Sequence, residues 1–564
     1  MTENASAPTT EDRFKRLIAF LIALVTVFIA MISYLQGDAG ARDDAANRDT
    51  KRYALEAFGK QVSGDARVNF DYNSAYQSYY ELELLAQAAQ VVGDEAAANR
   101  YLALRDRMTT LSPMLAAPYF DSASGVPDVV AYESDTYLVE ITALKERFAA
   151  ASIVKDAWDT KANTYIVHLT LLAVSLFLFG LSTTISGKTT RWIFAGVGAV
   201  VSIVAMVWAG AVFVQPVDDL RQCQTNGLAA IDAYAKGVGL AYQNLSDPAI
   251  ASFDQALACK PDYANVLVER GNANMTLGNH DIAAGDYEKA RAAGNASASV
   301  AGDLAWAYYL LGRYDDSVAM NRLALQADPS ELWIQYDLAL ALLAKGDLDG
   351  AKTEYQVGMD LAAKQVAEAK AAGTEPPSFL WWGIEDAATG LDDLVFTIDT
   401  GQGSPPANTI ATPDAVATSA VELSTRLKSF SVALEYTGQP PTGSLTATVT
   451  PFTFAQTVFD DAGNFMDYAV ADSFEYGIDE VAVLYDYAGM NDGQEVLFKV
   501  YIDGEEDPSW RVVEPWSFGA AGTDEKLISF AYSNTQVLRP GLYTVEMYVN
   551  SNLAQSGNFE VVEP

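Results

Sequence analysis

Residues Ser182 to Arg191 read STTISGKTTR, and Gly187-Lys188-Thr189 has the ending of a phosphate-binding loop. Such a loop needs Gly, four residues and then Gly-Lys-Ser/Thr, set between a strand and a helix so that backbone N–H groups cradle the phosphate. Here the preceding glycine is Gly180, six residues before Gly187, and the flanks are long apolar runs. Nucleotide binding is therefore not expected. Other chemical groups are sparse. Two His and two Cys cannot build a Cys/His zinc cluster, which needs about four ligands, and leave little for a Cys–His or Ser–His nucleophile. Acidic residues gather at Asp460-Asp461 and at Asp503, Glu505, Glu506 and Asp507. They lack the EF-hand spacing of a calcium loop and read as solvated turns. No catalytic, metal or cofactor residue is assigned, and no cofactor is expected. What remains is binding without turnover.

The elements that would position a binding surface come from hydropathy and periodicity. The chain has 564 residues and a formal net charge of -37. That length allows three or four domains at about 150 residues each. The acidity argues against a nucleic-acid partner, which would call for clustered Lys and Arg. Three apolar runs, Leu17 to Leu35, Tyr165 to Ile185 and Trp192 to Val214, each match the ~20 residues that cross a bilayer as a helix. Ala39-Gly40-Ala41 resembles a signal-peptide cleavage site, but the apolar run before it is longer than the roughly 7–15 residues usual there, so an uncleaved anchor is expected.

Orientation follows from Lys and Arg at the span ends. Arg13, Lys15 and Arg16 precede the first span, and Lys188 and Arg191 lie in the short loop 186–191. The tail 1–16 and that loop are then cytoplasmic, and 36–164 and 215–564 are extracytoplasmic. The expected location is the plasma membrane, multi-pass, with most of the chain outside. Residues 36–164 are rich in helix formers, and Tyr72, Tyr76, Tyr79 and Tyr80 fall on one helical face. A helical bundle is expected there.

The strongest signal is a repeat over 230–363. Asn244, Gly278, Gly312 and Gly346 are spaced by 34 each time, followed in register by Ala249, Ala283, Ser317 and Ala351, then by Phe253, Tyr287, Asn321 and Tyr355. Pro261 and Pro329 close the first and third units. This pattern resembles the tetratricopeptide repeat (TPR), in which stacked helix pairs share one core. The resemblance implies a concave surface, lined by first helices, that binds proteins or extended peptides. In this register the groove would show Tyr234, Tyr242, Asn265, Asn272, Trp306, Tyr309, Trp333 and Tyr336. None is Lys or Arg, so the clamp that holds an acidic C-terminal peptide is not expected. Residues 378–396 read as an amphipathic helix capping an array that spans 215–400. Cys223 and Cys259 fall at neighbouring ends of the first helix pair and are a candidate disulfide, with two free buried thiols as the alternative.

Residues 401–441 read as a linker region, punctuated by Gly and Pro. Beyond it, alternation of period two at Val496 to Ile502 and Leu542 to Val549 predicts an antiparallel β-sandwich over 442–564. The ending PGLYTVEMYVNSNLAQSGNFEV looks like the last hairpin of bacterial immunoglobulin-like extracellular domains. The expected fold is thus a multidomain membrane protein: three transmembrane helices, a helical bundle ectodomain, an α-solenoid (TPR) array and a C-terminal β-sandwich. The expected function is a bacterial membrane-anchored scaffold for partner proteins. A ligand sensor or transport accessory using 36–164 is the alternative. A cell-wall-acting enzyme is a third reading with no catalytic constellation behind it.

Overall fold

The computed structural model describes residues 10–121, 125–225, 228–440, 445–459, 465–510, 513–529 and 537–562. Asp460 and Asp461 lie outside them. The chain divides into two compact units at Gly278.

In the first unit, α1 (Thr10–Phe70), α2 (Gln77–Val91), α3 (Glu95–Met108), α4 (Val129–Glu133), α5 (Val139–Thr184) and α6 (Lys188–Val214) precede a two-stranded ribbon, β1 (Gln224–Thr225) and β2 (Leu228–Ala229). Helices α7 (Ala230–Tyr242), α8 (Ser246–Cys259) and α9 (Ala264–Thr276) follow. The stretches 13–91, 129–184 and 188–214 each hold a window long and apolar enough to cross a membrane. Helix α1 does not stop where its apolar run ends at Leu35. Ile18, Val25, Ile32, Ala39 and Ala46, seven residues apart, are all buried, and so are Leu144, Ala151, Tyr165, Leu172 and Phe179 along α5. A seven-residue seam keeps two helices in register over many turns. Helix α6 joins them through small residues, Ala195, Gly198, Ser202, Ala205 and Ala209. A Cβ on Gly198 would come within 3.1 Å of Phe179, so this contact depends on a bare backbone.

That seam corrects the separate bundle expected for 36–164. The segment is the continuation of α1 and α5 as an antiparallel stalk, with α2 and α3 packed together at its far end. Both stalk helices carry a π-helical turn, Asp71–Tyr76 and Ser134–Leu138. The tyrosine stripe is split: Tyr79 is buried against Phe120 and Leu115, while Tyr72 and Tyr80 are exposed.

Cys223 and Cys259 are joined as a disulfide, with Cα atoms 6.1 Å apart. The bond closes 36 residues of chain, a loop whose constraint is worth about 3–4 kcal/mol on chain entropy. Cys223→Ser is expected to lower the stability of the first unit by that amount. Equal unfolding midpoints for the variant and the oxidised parent would refute it.

In the second unit, α10 (His280–Ala292), α11 (Ala298–Leu310), α12 (Tyr314–Ala327), α13 (Leu332–Ala344) and α14 (Leu348–Ala372) continue the helical series. The turn residues of the 34-residue period have positive φ throughout: 58° at Asn244, 74° at Gly278, 71° at Gly312 and 91° at Gly346. Asn tolerates this left-handed conformation better than other side chains do, which is why it can replace Gly in the first unit of the repeat. Ala249, Ala283, Ser317 and Ala351 are buried at the helix crossings, and Phe253, Tyr287, Asn321 and Tyr355 are buried below them.

Helix α15 (Ser378–Thr400) packs on α13. The segment 401–441 is not the linker expected from its Gly and Pro. Its middle is helix α16 (Pro413–Thr437), whose Val416, Ala420, Leu423, Leu427, Phe430 and Leu434 are buried. These positions repeat every three to four residues, a helical period that the flanking Gly and Pro obscure.

The β-rich region has strands β3 (Thr448–Val449), β4 (Thr453–Phe459), β5 (Phe465–Val470), β6 (Ser473–Glu475), β7 (Glu480–Ala488), β8 (Glu495–Ile502) and β9 (Glu505–Glu506). Strands β10 (Val513–Pro515), β11 (Ala521–Ser529), β12 (Gly541–Val549) and β13 (Asn552–Val562) complete it. One sheet runs β10-β8-β12-β13-β6 with β9 on β8, and the other β11-β7-β4-β5 with β3 on β7. Val481, Val483 and Tyr485 of one sheet share a core with Val500, Val545, Met547 and Phe559 of the other. Among the described residues the β13–β6 pair is parallel and the other pairs of these two sheets are antiparallel, so the β-rich region is not purely antiparallel. In the β8–β12 crossing, Asp503 holds a turn by accepting from the Leu542 N–H at 2.8 Å.

Candidate functional site

Helices α11, α13, α14 and α15 enclose a pocket of about 360 Å³ in the second unit. Its aromatic side is built on missing side chains. A Cβ on Gly302 would lie 2.3 Å from the Trp333 ring, and one on Gly358 would lie 2.4 Å from the Tyr336 ring. Glycine at both positions lets those rings lie flat on a neighbouring helix. Trp333 is further fixed by its indole N–H, which donates to Glu331 at 3.1 Å. Trp306 lines the same space and stacks on Tyr309, with ring centres 5.0 Å apart. Tyr336 stacks on Tyr355 at 5.8 Å.

The polar side is acidic. Asp303 from α11, Asp337 from α13, and Asp386 and Asp393 from α15 line the pocket, with no Lys or Arg among the lining residues. Asp386 and Asp393 are seven residues apart and so share one helix face. Burial pushes the Asp337 carboxyl up to about 8, with the charges of Asp303 and Asp386 adding to it. Burial also raises Asp386, and burial with Asp392 raises Asp393. The last two are solvent-accessible at the rim. Tyr355 and Tyr336 are 0 % and 2 % exposed. Both line the pocket, and neither hydroxyl has a hydrogen-bond partner among the described residues. Among the described residues, no three His, Cys, Asp or Glu side chains are placed to hold a metal ion.

Of the eight groove residues expected from sequence, the structure brings Trp306, Trp333 and Tyr336 together here. Tyr309 is buried behind Trp306, packed on Tyr314. The other four lie in the first unit and do not form an open groove. Tyr234 is core, packed between Phe253 and Tyr263. Tyr242 donates to Glu133 at 2.8 Å, and Asn265 donates to Glu146 at 2.9 Å. Asn272 is exposed and donates to Glu269 at 3.5 Å. The physical reason is that α7 packs against α5: Ile231 and Ala235 meet Ala143 and Ala150, and Ser134 donates to the Gly239 carbonyl at 3.0 Å. The stalk covers the face that the repeat register left open. Lys188 and Arg191 line a separate cavity with Glu11, Arg13, Phe14, Leu17 and Trp192, where the Arg191 guanidinium lies 4.5 Å from the Phe14 ring. No phosphate-binding loop is formed, since Lys188 opens a helix that follows another helix.

Sequence reasoning missed the four aspartates and Tyr355. A signal was present: Asp303 and Asp337 are 34 residues apart, and Glu269 occupies the same position one period earlier.

No family model matches this chain, and no curated protein does. It is similar in part to solved structures of helical repeats. A MamA fragment from Desulfovibrio magneticus RS-1 is 22% identical, over 24% of this chain and 77% of that one, with a TM-score of 0.24. YrrB, described as a TPR protein with an unusual peptide-binding site, is 17% identical, over 29% of this chain and 87% of that one, with a TM-score of 0.23. Likeness at that level says nothing of function. The TPR-like character rests on this chain's own helix pairs and their turn geometry.

Proposed function

We propose that this protein is a membrane-anchored extracytoplasmic scaffold that binds a partner protein on its TPR-like helices. The observation that carries the binding role is the pocket above, where two Trp and two Tyr converge with four Asp on α11, α13, α14 and α15. Aromatic anchors in a pocket supply much of the energy at protein interfaces. The role proposed for this arrangement is recognition. Anchoring is supported by the outward faces of the three long helices, where Phe20, Val27, Phe177 and Val207 are exposed and apolar. In water such belts are a liability, and in lipid they are satisfied. Orientation follows the basic residues Arg13, Lys15, Arg16, Lys188 and Arg191 and puts the disulfide on the oxidising side. The β-rich region is a second binding module of the same scaffold.

The full chain in its native membrane, with a photo-crosslinking amino acid at Trp306, tests this. A discrete crosslinked protein is expected, and it should be lost when Trp333 is also changed to Ala. A crosslink indifferent to Trp333→Ala would place the binding elsewhere. In sealed spheroplasts, added protease should degrade 215–564 and spare the loop 186–191. Protection of 215–564 would reverse the orientation.

A further inference from the structure

A chain of net charge -37 gathers three cations, Arg13, Lys188 and Arg191, around a cavity of about 480 Å³ where α1 and α6 begin. One carboxylate, Glu11, also lines it, and Lys15 already holds that group at 3.3 Å. Arg191 lies 4.0 Å from the same carboxylate, beyond hydrogen-bond reach. Its guanidinium rests on the Phe14 ring, and Phe14 meets Trp192 edge-on at 5.0 Å. Nε and Nη2 of Arg191 are shielded from solvent and have no hydrogen-bond partner among the described residues. An ionised donor left unpaired costs more than a neutral one. These two nitrogens form one edge of the planar fork, the edge that matches two oxygens of a phosphate or carboxylate. The long side chain is held by a ring contact, which leaves it free to turn that edge into the cavity it lines. One turn further along each helix the surface is apolar: Leu17 and Phe20 on α1 and Ile193 on α6 are exposed. Trp192 stands between the two zones, half exposed, as tryptophan does at a membrane–water boundary. A soluble anion would leave that apolar surface unused. A zwitterionic lipid would bring its own cation against three others, and an uncharged one would leave Arg191 unpaired.

We infer that this cavity seats the phosphate of an anionic phospholipid, held by Arg191, Arg13 and Lys188, with its acyl chains along Leu17, Phe20 and Ile193. The inference rests on the membrane reading above and deepens it by naming the lipid class that the anchor selects. Charge-assisted N–H donors to phosphate oxygens are the stronger kind of hydrogen bond. Basic pockets beside membrane helices recognise lipid headgroups by this chemistry. Helix α1 meets α6 far less than it meets α5. A phosphate shared by Arg13 on α1 and Arg191 on α6 therefore ties together two helices that the protein itself joins mainly through a third.

The test titrates the full chain in dodecyl maltoside micelles with dioleoylphosphatidylglycerol and reads bound lipid by native mass spectrometry. Arg13→Gln/Arg191→Gln is compared with Arg100→Gln/Arg107→Gln, the same charge change at exposed positions of α3. The cavity variant should weaken binding about tenfold and the control less than about twofold, because distant surface charge is screened. Equal weakening would assign the binding to charge in general and overturn the inference. Dioleoylphosphatidylcholine has the same phosphate and acyl chains and should bind about fivefold more weakly, because its cation meets like charge. Equal binding would mean that apolar contact alone holds the lipid, and overturns it. Inorganic phosphate in large excess should displace no more phosphatidylglycerol than chloride of equal ionic strength does. Greater displacement would assign the site to a soluble anion and overturn the lipid. Should the double variant fail to fold, Lys188→Gln at an exposed position of the cavity decides. Weakening of about threefold supports the inference, as one phosphate contact of several is lost, and unchanged affinity overturns it. A chain that stays with membranes in alkaline carbonate but retains no phosphatidylglycerol would defeat the site and leave the anchor. A chain that carbonate releases, with its preference for phosphatidylglycerol intact, would defeat the anchor and keep the phosphate site.

Discussion

Lys428→Met is expected to destabilise the second unit by about 3–5 kcal/mol, the usual cost of leaving a buried charge without its partner. Lys428 sits on α16 with its ammonium 2.9 Å from Glu546 on β12 and 3.1 Å from Asp392 on α15. Two consecutive helices and a strand distant in sequence are therefore tied at one atom. Burial alone would lower the Lys428 pKa, but Glu546 and Asp392 outweigh it and raise it. Glu546 is 2 % exposed and also accepts from the Tyr548 hydroxyl at 2.6 Å. Met keeps the apolar stem of Lys and removes only the charge, so the buried Glu546 carboxylate is left without its ammonium partner. Hydrogen exchange of β12 and α16 amides reads the effect locally, which a multidomain chain requires. Lys428→Met/Glu546→Leu should recover much of the loss, because an apolar pair of similar volume is often as stable as a buried ion pair. A single-variant cost below about 1 kcal/mol would show that the joint is held by Val432, Leu497 and Tyr548 instead, with the charge pair an accessory.

Asp337→Asn should stabilise the protein at alkaline pH and do almost nothing at pH 4. The carboxyl titrates at about 8 when folded and at an ordinary 3.8 when unfolded. A group whose folded pKa is raised binds its proton more tightly in the folded state. Its contribution is fully present below the unfolded pKa and is lost as pH rises from about 4 to 8. Asn has no proton to lose and escapes that penalty. Because solvent reaches part of the side chain, the expected gain is on the order of 1–3 kcal/mol at pH 8.5. Unfolding temperatures of parent and variant across pH 4 to 9 check it. A gap that stays constant, or narrows as pH rises, would mean that Asp337 is ionised in the empty pocket.

The helical repeat was legible because its turn makes a demand that few residues meet. Positive φ at four positions 34 apart selects Gly or Asn, and one chain is enough to show that. The three long apolar helices were legible for a similar reason, since length and hydropathy need no knowledge of neighbours. Helix α16 was hidden by the Gly and Pro on either side of it. Its apolar residues make sense only once α15 and the sheet are there to cover them. The groove was half legible. Aromatic residues on first helices were in view, but sequence could not show that α5 would lie on α7, or that Glu133 of α4 and Glu146 of α5 would accept from Tyr242 and Asn265. The pocket acids were visible as a 34-residue recurrence at Asp303 and Asp337. Asp386 and Asp393 lie on a helix outside the period, and only the packing of α15 on α13 brings them in.

Helix α1 runs unbroken from Thr10 to Phe70, so 35 residues of it lie beyond Leu35. At 1.5 Å per residue that is a rod of about 50 Å. A rod has leverage. A tilt of about 5° at its apolar end swings the far end by about 5 Å over that length, comparable to one helical turn. Small angular changes among the three apolar helices would thus arrive amplified at the π-helical turn Asp71–Tyr76, where α1 passes into α2.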